Sequence, residues 1–128
     1  MLVSTLNYKS NTSLLPTYLD GYFDLYVIST AETTSYPIEG ITLVETNFPF
    51  EYRSIGDKLK FEADQRNIDI THKVRIPQTR EITSLHVLKL GEEYMQVYNT
   101  FHFTNKEGYK QTDITLKRYD KEVVIIDN

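Results

Sequence analysis

Residues 68–77 read IDITHKVRIP, and this run decides the fold class. Ile68, Ile70, Val74 and Ile76 recur at every second position, while Asp69, Thr71, Lys73 and Arg75 fill the positions between. Successive side chains of a strand point to opposite faces, so a period of two means a half-buried β-strand. Pro77 closes the run, because proline has no N–H to give to a ladder. His72 interrupts the apolar face.

The same period appears on both sides of this run. YFDLYVI (22–28) places Phe23, Leu25 and Val27 on one face, and ITLVET (41–46) is a second short strand before Pro49. KLKFEA (58–63) alternates with Leu59 and Phe61 inside. Helical spacing over 57–66 competes with it, and the alternation is the stronger pattern. LHVLKL (85–90) and YMQVYNTFHF (94–103) flank Gly91-Glu92-Glu93 as a hairpin, and QTDITLKRY (111–119) sets Thr112, Ile114 and Leu116 on one face. EVVIID (122–127) is a last strand or an arm. Many short strands with frequent turns predict an all-β chain, a small β-barrel or sandwich. Residues 1–21 are expected to form an extended arm with a turn at Asp20-Gly21. STAETTSYPIEG (29–40), small and polar, is expected to be a long loop.

The 128 residues suit one domain, residues 1–128. With no cysteine, disulfides, thiolate nucleophiles and cysteine-bound zinc are excluded. No basic region followed by an apolar run stands near residue 1, so no secretory signal is expected. VVII (123–126) is far too short to span a bilayer, and no membrane partner is expected. A net charge of −4 argues against a chain built to grip phosphates. The charge is uneven. Between Lys9 and Arg53 stand Asp20, Asp24, Glu32, Glu39, Glu45 and Glu51, with no basic residue. Such a surface is a solvated acidic face, one that DNA passes without sticking, or one that meets a basic partner.

No pattern for chemistry emerges. His72, His86 and His102 lack metal-ligand spacing, and neither a Gly-x-Ser-x-Gly elbow nor a Gly-rich phosphate loop occurs. Nothing pairs Glu81 with Glu92 or Glu93 as acid and base. Tyr94, Tyr98, Phe101 and Phe103 could stack bases, but residues 94–103 contain no Lys or Arg to hold the backbone. Neither an enzyme nor a bound cofactor or metal is expected.

Residues 54–119 resemble the head closure proteins, or stoppers, of tailed bacteriophages, which are head-tail connector proteins. Four segments carry the resemblance: the strand entering at KLKFEAD, the ITHKVRIP strand, the LHVLKLGEEYMQVYNT hairpin and the closing TDITLKRY strand. They span about half the chain. The resemblance implies a non-enzymatic virion part at the head-tail interface, present in the host cytoplasm during assembly. It implies a ring of six or twelve copies that meets the portal or adaptor ring and the tail proteins. This ring closes the capsid exit after packaging, touches the packaged double-stranded DNA by steric contact, and offers a docking surface for the tail.

Under that reading 29–40 is a candidate channel loop, with Glu32, Thr33, Thr34, Ser35, Tyr36 and Glu39 facing the bore. The candidate assembly interface comprises Tyr22, Tyr26, Asp69, Lys73, Arg75, Tyr94, Tyr98, Lys117 and Arg118. The tyrosines serve either contacts between copies or caps on the monomer core, and their exposure separates the two. Reversing Lys73 and Arg75 to Glu is expected to block assembly and spare the fold. The purified chain is expected to be a monomer or weak oligomer. The alternatives are another ring protein of the junction, a tail terminator or adaptor, and a small β-barrel that binds nucleic acid.

Overall fold

A computed structural model describes residues 17–32 and 36–127. Six strands and one helix follow in chain order: β1 (Gly21–Ala31), β2 (Ile38–Arg53), α1 (Asp57–Gln65), β3 (Ile70–Pro77), β4 (His86–Leu90), β5 (Glu93–Thr104) and β6 (Lys110–Arg118). The strands close into a barrel in the order β1-β2-β3-β6-β5-β4, and every neighbouring pair is antiparallel. Of the barrel and the sandwich expected from the alternation, the mainly β fold is the closed barrel.

Inward residues from all six strands make the core: Phe23, Leu25, Phe50, Val74, Ile76, Leu88, Val97, Ile114 and Leu116 are all buried. β6 lies between β3 and β5, and Gln111 to Leu116 are buried on both faces. In β3, Val74 and Ile76 point into the core as the sequence requires. Its pairing with β6 slips between Ile70 and His72, a bulge that brings Thr71 and His72 to one neighbour. The Thr71 hydroxyl donates to Met95 Sδ at 3.1 Å, and His72 Nδ1 lies 3.0 Å from the same sulfur. A second, smaller cluster forms outside the barrel from Tyr26, Ile41, Val87 and Tyr119, with Ile28 and Tyr94 against it.

Three segments differ from the sequence reading. KLKFEA is not a strand but the body of α1; Phe61 is 62% exposed and Ala63 is the buried residue of the helix. No strand is inserted between β2 and β3, which pair directly through Glu51↔Arg75, Tyr52↔Val74 and Arg53↔Lys73. Lys, Leu, Glu, Ala and Gln favour a helix, and Asp57 complements the positive helix start. Asn67 ends it in the left-handed region (φ 58°), and the Ile68 N–H returns to the Ala63 carbonyl at 2.9 Å.

The loop 29–40 is shorter than its composition suggested. Ser29↔Gly40, Thr30↔Glu39 and Ala31↔Ile38 are paired, which leaves residues 32–37 between the strands. Pro49 does not interrupt β2. It pairs with Tyr22, and among the described residues β2 up to Phe50 has β1 as its only ladder partner, apart from the single bridge of Ile41 to Ile125, so the missing N–H costs no second ladder.

Candidate functional site

The β1–β2 hairpin outgrows the barrel. β4 accompanies β1 only over Asp24–Val27, with one more bond from the Ile28 N–H to the Leu85 carbonyl. Beyond that point, among the described residues, β1 and β2 pair only with each other, apart from the segment after Tyr119. The hairpin carries Asp24, Glu32, Glu39, Glu45 and Glu51 and no basic residue before Arg53; of these Glu32 and Glu39 stand beyond β4, while in register Asp24 pairs with Lys89, Glu45 with Leu25 and Glu51 with Arg75. Some of this charge is engaged. Glu39 forms an ion pair with Lys121, the Asp24 carboxylate accepts the Asn47 N–H at 3.3 Å, and Glu51 lies 4.0 Å from Arg53. Glu32 and Glu45 are exposed. Tyr36 is 66% exposed at the arm's end. Thr33, Thr34 and Ser35, expected in the same loop, lie outside the described residues.

The residues expected at an assembly interface separate into three groups. Tyr22 is exposed on β1. Tyr26 is buried, with its ring edge-on to Tyr94 at 5.7 Å, and burial first, then the Tyr94 phenol, raises its pKa. Tyr26 thus serves the monomer's second cluster. Tyr94 is half-buried beneath Lys89, whose Nζ stands 5.6 Å from the ring centre. The half-buried Tyr98 accepts a 3.5 Å hydrogen bond from Arg66 on the connection after α1. Asp69 and Arg118 form an exposed 2.8 Å ion pair, and Lys117 is half-buried opposite Ile70 and Gln96.

Lys73 and Arg75 converge on a residue the sequence did not single out, Asp113. Register places Arg75 opposite Asp113 on β6. Arg75 donates through Nε at 2.6 Å and Nη2 at 2.9 Å to the two carboxylate oxygens, and Lys73 Nζ stands 3.9 Å away. The hydrogen bond to Asp113 raises the Arg75 pKa despite burial. The guanidinium also lies 4.7 Å from the Phe103 ring centre, and Phe103 stacks on the exposed Phe101. Arg75 therefore helps hold three strands. Its reversal would set two carboxylates together in a buried place, so the fold would not be spared as the sequence reading expected. The alternation at 112–116 put Asp113 on the outer face, but only the register names its partner.

The histidines stay apart. His86 Nδ1 accepts the Thr83 N–H at 3.1 Å, and His102 Nδ1 lies 2.8 Å from Thr112 Oγ1. Among the described residues no three His, Asp or Glu side chains gather as a metal site would require. A cleft of about 410 Å³ is lined by Thr71, Glu93, Tyr94, Arg118 and Tyr119, among others. Its guanidinium is already paired with Asp69. Compared with known proteins, the chain matches no family model and no curated protein.

Proposed function

We propose that this chain is a non-enzymatic structural part of a phage head-tail junction, a stopper that closes the capsid exit in a ring and presents a docking surface to the tail. The acidic β1–β2 arm carries this reading. A closed barrel is a rigid base, and the arm extends past its last contact with β4. Repeated around a bore, Glu32 at the arm's end and the exposed Glu45 on the barrel part of β2 would repel DNA phosphates, so closure would be steric rather than adhesive. Leu43 and Val44, apolar and exposed on β2 where β1 still pairs with β4, suit contacts between copies.

The test is to replace residues 32–37 by Asn-Gly, which joins the Ala31↔Ile38 pair by a tight turn and keeps the barrel. Filled heads carrying this variant should lose their DNA, and heads lacking the protein should package, leak and take no tails. Heads that retain DNA with the shortened arm would sink the reading.

One observation favours a nucleic-acid-binding barrel instead: Phe101 and Phe103 stack at 5.7 Å beside Arg75 and Lys73. Here β3, one strand beyond β6, supplies the cations that residues 94–103 lack. Against it, Asp113 already neutralises the guanidinium. Binding to single-stranded DNA that weakens steeply with salt, and with Phe101→Ala, would select this second reading.

A further inference from the structure

The last residues of the chain make a contact that neither the barrel nor the arm requires. After Tyr119 the backbone runs along the outer edge of β2, where Ile125 forms a parallel bridge with Ile41. The Ile41 N–H donates to the Val124 carbonyl at 2.8 Å, and the Ile126 N–H donates to the Ile41 carbonyl at 2.8 Å. Lys121 joins Glu39 in an ion pair.

Gly40 makes the space. A Cβ at this position would lie 2.4 Å from the Val124 carbonyl oxygen and 2.9 Å from Ile126 Cδ1. Its φ is not positive, so backbone conformation does not call for glycine here. A glycine inside a strand weakens it and marks the close approach of another backbone. The edge of β2 is shaped to receive a strand.

The chain's own tail uses little of that edge. Among the described residues, β2 pairs with β1 alone from Thr42 to Phe50, apart from one bond from the Asp20 N–H to the Phe50 carbonyl. Leu43 and Val44 are 47% and 52% exposed, and the tail leaves Val123 and Ile125 40% and 47% exposed. An open edge flanked by apolar side chains is a template for strand addition.

We propose that the β2 edge at Glu39–Ile41 accepts the C-terminal segment, residues 121–127, of a second copy in exchange for the chain's own. This rests on the ring-forming reading above. The exchange recreates the same two backbone bonds, the same ion pair and the same fit at Gly40, so it loses no contact. In a dilute monomer the chain's own tail wins, because tethering gives it an effective concentration of about 1 mM or more. Copies held side by side remove that advantage.

Two complementary chains test this. A chain ending at Asp120 has an open edge and no tail; the full-length Gly40→Val chain has a blocked edge and a displaced tail. Sedimentation should find each alone as a monomer and the mixture as a 1:1 complex. A labelled peptide of residues 121–128 should bind the shortened chain, at least ~10-fold more weakly the full-length chain, and not at all the shortened chain with Gly40→Val. Full-length Ile126→Pro, which loses the N–H given to Ile41, is the second open-edge acceptor should the shortened chain not fold. No complex in the mixture, or peptide binding indifferent to Gly40→Val, would overturn the proposal. DNA retention by filled heads reads the closure role separately, so either idea can fail alone.

Discussion

Removing the Arg75 guanidinium would leave a carboxylate almost without water. The Asp113 side chain is 6% exposed and that of Arg75 21%. Breaking a buried ion pair from one side costs about 3–5 kcal/mol, because the remaining charge has lost its partner. Lys73, 3.9 Å from the carboxylate, keeps a weaker contact, so Arg75→Ala should fall just below that range, at ~2–3 kcal/mol. For a chain of this size that corresponds to a fall in Tm of roughly 8–12 °C. Asp113→Asn should cost less, since the amide oxygen still accepts one N–H. The double replacement Arg75→Met/Asp113→Leu should recover most of the loss, because two apolar groups need no partner. Urea unfolding of the wild type, Arg75→Met, Asp113→Leu and the double replacement gives the coupling energy directly. Additive single effects, each under about 0.5 kcal/mol, would refute the account of Asp113 as a buried, coupled carboxylate.

Phe61→Ala should change stability by no more than about 0.5 kcal/mol, since the ring is 62% exposed on α1; a ring inside a strand would cost ~3–5 kcal/mol in the same urea titration. Burial holds the His86 imidazole below its ordinary pKa of 6.5, partly offset by the Thr83 backbone and Glu81. The unfolded chain therefore binds the proton first, and stability should fall as pH drops below that value; His86→Gln should flatten this part of the profile, measured from about pH 7.5 to pH 5. Arg118→Ala should leave Tm unchanged, because its ion pair with Asp69 is open to solvent, in contrast with Arg75→Ala.

Much of the barrel was legible because alternation is a local property. Val74, Ile76, Ile114 and Leu116 were assigned to the inside from their spacing, and all are fully buried. The same reasoning failed at 58–63, where Lys58-Leu59-Lys60-Phe61 alternates without facing a sheet. Six residues of period two are compatible with one turn and a half of helix. What decided between them was that β2 and β3 pair directly with each other, which leaves the segment joining them outside the ladder. The loop at 29–40 was misjudged for a related reason. Small polar residues suggest irregular backbone, yet two such stretches that face each other across a hairpin supply each other's hydrogen bonds.

The candidate site was less legible than the fold. Sequence alone determined the β class, the inward faces, the acidic run from Asp20 to Glu51 and the apolar tail, since each depends only on residues near one another in the chain. Tertiary structure decided that Arg75 meets Asp113, that Tyr26 turns inward onto Tyr94, and that Gly40 admits the backbone of Val124. Those contacts join residues 38, 68 and 84 positions apart. They depend on strand register and barrel closure, and in a barrel the register is set by the packing of all six strands together.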